Sequence, residues 1–184
     1  MTIDALIENV ADYGKDIKLN FSTHVRQQTD LTPQQTWGTV LASAISTGNE
    51  ELIAAAYEQA REFLSPETAE AAKTAATIMA MNNIYYRFQH LASNKKCATI
   101  PAKLRMNAIR THGADPVDFE LWCTAVSAIN GCGACVDSHE KVLREKGVGE
   151  EQILAAVRIA SIVRAIASVV VTEKAVPSAQ PVTA

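Results

Sequence analysis

Apolar residues recur along most of the chain at spacings of three and four, and alternation of β-branched with polar positions is scarce. This is helical periodicity; alanine, the strongest helix former, is abundant, and Gly and Pro fall at the ends of the periodic runs. Thr32-Pro33-Gln34-Gln35 combines a hydroxyl cap, a proline at the first helical position and a Gln at the capping-box position. The helix it opens is predicted to run to about Thr47 and stop at Gly48, and Asn49 caps a second one through Leu64. Ser65-Pro66-Glu67 starts a longer helix through the Tyr85-Tyr86 region, Lys95 to Ile100 is a loop, and Pro101 opens a short helix ending near Gly113. Asp115-Pro116 begins the next, through Asn130; Cys132 opens another, closed by Gly147; Gly149-Glu150 begins the last, to about Lys174. Residues 176–184 carry no pattern and are expected to form a mobile tail behind a single all-α domain, residues 1–175, with no sheet.

A weak internal repeat underlies these elements. A shift of 84 residues lays Ala42-Ser43-Ala44-Ile45-Ser46 over Val126-Ser127-Ala128-Ile129-Asn130, and Ala71-Ala72 over Ala155-Ala156. The halves, about 32–92 and 115–174, each read as helix, turn, helix, turn, long helix. Opposite Glu120, Cys132, Cys135 and His139 in the second half stand Thr36, Gly48, Glu51 and Ala55 in the first. Helix packing alone therefore does not require the reactive groups.

With 184 residues, 48% of them hydrophobic, the chain suits one core and leaves little room for a second. A formal charge of -3 without a clustered basic face speaks against nucleic acid. Met1-Thr2-Ile3-Asp4 lacks the features of an export signal, and Arg158, Arg164, Glu173 and Lys174 interrupt the longest aliphatic stretches. No membrane span is expected, and a cytoplasmic location is. Four cysteines in a chain this long are not a stapled secreted framework. Cys123 lies in an apolar helix and is read as core, Cys97 as an incidental loop residue, and Trp37 and Trp122 as core or subunit contacts.

The candidate chemistry is Cys132-Gly133-Ala134-Cys135, followed by His139 and Glu140. Offsets of three and four share one helix face, so a dithiol and an imidazole come within reach of one another. An i, i+3 pair has Cα atoms about 5 Å apart, inside the usual disulfide span. The pair can therefore open and close with little backbone movement. The free amides of the first helical turn favour a thiolate, an argument for Cys132 as the attacking sulfur. Proximity to His139 favours Cys135 and carries more weight, because general acid–base help must be close and directional. Glu120 would lie about 18 Å from Cys132 along one straight helix. If the chain reverses at Asn130-Gly131, Glu120 instead comes alongside His139 and orients its ring. Glu140 and Asp137 are read as surface charges.

Glu120-Leu121-Trp122, the run Val126-Ser127-Ala128-Ile129-Asn130-Gly131-Cys132, then Cys135 and His139-Glu140 resemble the alkyl hydroperoxidase D family, within the carboxymuconolactone decarboxylase-like group. Asp16-Ile17-Lys18-Leu19-Asn20, Trp37-Gly38-Thr39, Ala80-Met81-Asn82-Asn83 and Leu104-Arg105-Met106-Asn107 extend the resemblance over most of the chain. It implies a lipoyl-dependent peroxiredoxin that reduces alkyl hydroperoxides, with hydrogen peroxide and peroxynitrite as further substrates. Cys135 would be the peroxidatic nucleophile, Cys132 the resolving thiol that closes the disulfide, and His139 and Glu120 the proton relay. The implied reductant is an external dihydrolipoamide group on a lipoylated acyltransferase subunit served by dihydrolipoamide dehydrogenase, with no bound cofactor and no metal. An alkyl hydroperoxide reductase peroxiredoxin is the further implied partner, and a homotrimer the implied assembly. One position departs from the family: the residue before the second cysteine is often histidine there and is Ala134 here.

The competing readings are two buried helix cysteines, or zinc ligands, which a structural site would want in fours. At the level of function they are a thiol–disulfide exchange or redox-sensing module, and a lactone decarboxylase on the same scaffold, for which two redox thiols are unnecessary.

Overall fold

Capping chemistry sets the helix ends. The computed structural model describes residues 1–176; the remainder of the expected tail lies outside the described residues. Two short helices, α1 (Ile3–Glu8) and α2 (Lys15–Phe21), are followed by a π-helical turn, Ser22–Arg26. Then come α3 (Pro33–Thr47), α4 (Glu50–Ala60) and α5 (Pro66–Leu91), and after a long connection α6 (Pro116–Ile129), α7 (Gly133–Glu145) and α8 (Glu150–Ala175). No strand occurs among the described residues, so the fold is all-α.

Thr32 and Gln35 close a full capping box on α3, and Gly48 ends that helix in the left-handed region (φ 71°). Asn49, Ser65 and Asp115 each cap the next helix through a side-chain oxygen, and Pro66 and Pro116 occupy first-turn positions where no amide is needed. The lengths of α3 to α5 are 15, 11 and 26 residues, and those of α6 to α8 are 14, 13 and 26. Ser46 and Asn130, which the sequence offset pairs, touch through their side chains at 3.4 Å.

Three boundaries differ from expectation. The helix after Asn49 stops at Ala60, and a turn carries the chain to Leu64. Lys95–Thr99 is a 3₁₀ turn, pinned where the Asn94 side chain accepts from the Lys96 amide, and α5 runs on to Leu91. The helix expected from Pro101 to Gly113 does not form; only a 3₁₀ turn, Asn107–Arg110, interrupts an irregular segment. Lys103 takes a left-handed φ of 54°, which breaks any helix begun at Pro101. Its Met106 and Ile109 cover a cavity between other helices instead of forming the face of a helix of their own.

The core is built where α3, α5, α6 and α8 cross. Trp122, Leu41, Leu121, Ile159 and Ile166 are fully buried there, and alanines at 71, 72, 75, 155 and 156 let the long helices approach closely. Trp37 is also buried and stacks on Phe63 at 4.9 Å. Contrary to the sequence expectation, α8 is long and apolar enough, by length and composition, to cross a bilayer, because its two arginines leave an 18-residue window of mean hydropathy 2.1. More than half of that window (56%) is buried inside the fold, where it supplies the core.

Two outcomes follow. A Cβ added at Gly38 would overlap the Trp122 indole, so Gly38→Ala lowers stability by about 1–3 kcal/mol, measurable as a reduced urea midpoint. Burial pushes the Cys123 thiol well above its ordinary range, whereas Cys97 is partly exposed. Iodoacetamide added to the folded, oxidised protein therefore labels Cys97 and spares Cys123, and mass spectrometry finds Cys123 modified only after denaturation.

Candidate active site

The site is made by the reversal between α6 and α7. The last turn of α6 ends at Asn130, and Gly131 then adopts φ 65°, a conformation that costs glycine nothing and other residues energy. The Cys132 amide donates back to the Ser127 carbonyl at 3.1 Å, which fixes the turn. Cys132 thus becomes the N-cap of α7, and its sulfur accepts from the Cys135 amide at 3.3 Å. Cys132 and Cys135 are joined as a disulfide across a Cα–Cα distance of 5.3 Å.

The two sulfurs differ in access. Cys132 is 0% exposed and Cys135 5% exposed. Cys135 forms part of the wall of a cavity of about 440 Å³, and Cys132 does not. Met79, Asn82 and Tyr86 of α5 form one side of that cavity, Met106 and Ile109 of the irregular connection cover it, and Glu120 and His139 close it. Its wall is mostly apolar, with a few convergent polar groups, as expected of a small-molecule site. Ala134 also lines it, so the missing imidazole of that position leaves space rather than a donor. Cys135 Sγ lies 3.9 Å from the Asn82 carbonyl oxygen.

The antiparallel return of α7 along α6 brings His139 to Glu120: Nδ1 lies 2.6 Å from Glu120 Oε2, with both side chains largely buried (13% and 16% exposed). A short, poorly solvated contact of this kind fixes the orientation of the ring. The other ring nitrogen, Nε2, faces Met79 Sδ at 3.2 Å. Cys135 and His139 sit one turn apart on the same face of α7, and both look into the cavity. Glu140 pairs instead with Arg144 on the exposed side of α7, and Asp137 is exposed.

The sequence did not single out Met79, Asn82 or Tyr86 as cavity residues. Asn82 stood only within the Ala80-Met81-Asn82-Asn83 run that carries the family resemblance, and the i, i+3, i+7 spacing of Met79, Asn82 and Tyr86 is the signal that places all three on one face. His112, just before α6, stacks on Phe119 at 3.9 Å, and its Nδ1 accepts from the Ala114 amide. Burial holds this imidazole below its ordinary range, against the opposing pull of the Glu120 and Asp115 charges.

Comparison with known proteins agrees with this architecture. Residues 98–176 match the model of the carboxymuconolactone decarboxylase family, a span that contains Glu120, both site cysteines and His139. Over nearly its full length the chain is similar to proteins named alkyl hydroperoxide reductase AhpD. It is 65% identical to that of Acidobacterium capsulatum over 174 residues, 95% of each chain. It is 56% identical to that of Koribacter versatilis, over 92% of this chain and 87% of the relative, and 53% identical to that of Solibacter usitatus, over 94% and 97%. At this identity and coverage, the chain belongs to the AhpD family, within the carboxymuconolactone decarboxylase-like superfamily.

Proposed function

We propose that this protein is a thiol peroxidase that reduces alkyl hydroperoxides through a Cys132–Cys135 dithiol/disulfide cycle. The observation that carries the reading is the asymmetry of the pair: Cys135 opens on the cavity that holds His139 and Glu120, and Cys132 is sealed. The name carried by its relatives, alkyl hydroperoxide reductase, supports the same class of substrate.

The steps balance as follows. The Cys135 thiol gives its proton to the His139–Glu120 pair, and the thiolate attacks the terminal oxygen of the hydroperoxide. An S–O bond forms, the O–O bond breaks, and the departing alkoxide takes a proton from His139 to leave as alcohol. Cys132 then attacks the Cys135 sulfenic acid; the S–S bond forms and water leaves. In return, one thiolate of a dithiol reductant attacks Cys135, the sulfur that faces the cavity, and expels Cys132 as thiolate, which takes a proton; the reductant's second thiol then attacks the mixed disulfide, closing its own S–S bond and releasing Cys135 as thiol. The Cys135 amide, already bonded to Cys132 Sγ at 3.3 Å, stabilises the Cys132 leaving group. The helix-end effect thus serves Cys132 as leaving group, while access makes Cys135 the nucleophile. Dihydrolipoamide on an acyltransferase subunit is the reductant proposed, regenerated by dihydrolipoamide dehydrogenase in the cytoplasm. The proposed assembly is a homotrimer working beside an alkyl hydroperoxide reductase peroxiredoxin.

Stopped-flow mixing of the reduced protein with an organic hydroperoxide tests the roles. Cys135→Ser abolishes fast peroxide consumption, whereas Cys132→Ser retains a single turnover and accumulates a sulfenate that dimedone traps. The reverse pattern exchanges the two assignments. A dithiol oxidised no faster by hydroperoxide than by a small disulfide makes the protein an exchange module instead.

The relay has its own test. His139→Ala and Glu120→Gln slow peroxide consumption by about 10²-fold or more and move the alkylation-versus-pH profile of Cys135 to higher pH. Unmoved profiles in both variants would remove the pair from the mechanism.

A further inference from the structure

Met79 is 1% exposed, and the polar groups around it form a buried chain with one direction. Asn130 Nδ2 donates to Asn83 Oδ1 at 2.9 Å. That leaves Asn83 Nδ2 to donate to Ser127 Oγ, also at 2.9 Å. Ser127 is fully buried, and its oxygen, already accepting from Asn83, turns its hydrogen toward Met79 Sδ at 3.6 Å. From the opposite side, His139 Nε2 approaches the same sulfur at 3.2 Å. A thioether sulfur has lone pairs and no hydrogen, so it only accepts. Two lone pairs do not face each other at this distance in a poorly solvated site, so Nε2 carries a hydrogen. The other ring nitrogen, Nδ1, lies 2.6 Å from Glu120 Oε2 and is held there.

We propose that Met79 is a positioning residue: its sulfur, an acceptor that cannot take a proton, keeps a hydrogen on Nε2 of His139 in the oxidised protein. This rests on the reading of His139 as the proton carrier and deepens it. A basic acceptor at the same place would draw the proton away; an aliphatic side chain would leave a buried N–H unpaired and favour the bare nitrogen. The thioether avoids both, so the hydrogen stays on Nε2 while the disulfide is closed. The chain through Ser127 and Asn83 ties this sulfur to Asn130, at the turn that sets Cys132. The ring and the disulfide are thereby held in one frame.

The test compares Met79→Leu, which keeps the bulk and loses the acceptor, with Met79→Gln, which restores an acceptor oxygen at similar reach. Nitrogen-15 spectra of the oxidised protein show Nε2 of His139 as a protonated nitrogen in the parent. The signal moves toward the unprotonated type in Met79→Leu and returns in Met79→Gln. Stopped-flow peroxide consumption falls about tenfold in Met79→Leu and recovers in Met79→Gln. An unmoved nitrogen signal in Met79→Leu, or a loss of rate that Met79→Gln does not repair, reduces Met79 to packing and overturns the inference. A separate outcome, full peroxidase activity in His139→Ala, overturns the proton-carrier reading itself.

Discussion

The indole of Trp122 occupies the space that a side chain at residue 38 would need, and the rest of the molecule is arranged around that contact. Gly38 lets α3 and α6 approach until the indole is fully buried, with its Nε1 donating to the Gln35 carbonyl at 3.3 Å. Gln34 and Gln35 then reach across to both oxygens of Asp118, at 2.7 and 2.8 Å. These bonds fix the start of α6 against the start of α3. Two residues further on is Glu120, and at the far end of α6 is Asn130. The reactive groups inherit their positions from a helix that is clamped along its length.

Upon this frame the chemistry depends on a difference between two identical side chains. Cys132 caps α7 and is out of reach of solvent; Cys135, one turn in, meets the cavity. The same helix end that would ionise Cys132 also encloses it. Access and helix-end electrostatics therefore favour different sulfurs, and that difference is what the proposed two-thiol cycle uses. The buried amide of Asn83 and hydroxyl of Ser127 are expensive to enclose unless bonded; they bond each other, and Asn83 also accepts from the half-buried Asn130. Their bonding converges on Met79, whose sulfur also meets His139, so the polar network and the His139–Glu120 pair are in contact through one side chain.

Helix ends were legible because capping is local. Thr32, Asn49, Ser65 and Asp115 lie within a few residues of the amides they serve, and no distant contact competes with them. The meeting of Glu120 with His139 was legible as a conditional, since it needed only a reversal at Asn130-Gly131. The connection between Leu91 and Pro116 was not legible as built. Pro101 and the residues after it resemble a helix start, but Lys103 turns left-handed, and Met106 and Ile109 are held by the cavity between other helices. The charges within α8 were likewise overweighted, because a core helix tolerates two arginines on the side that the core does not use.

By itself, then, the chain determined its helices, the dithiol on one helix face, and the family to which these belong, all of which depend on spacings of a few residues. Tertiary structure alone decided which sulfur is open, that His139 divides its nitrogens between Glu120 and Met79, and that Asn83 and Ser127 pack behind Met79. Those facts depend on side chains some 40 to 60 residues apart being pressed together, as Asn83 with Ser127 and Met79 with His139. Burial and hydrogen-bond direction come into existence only when the helices pack, so no local pattern encodes them.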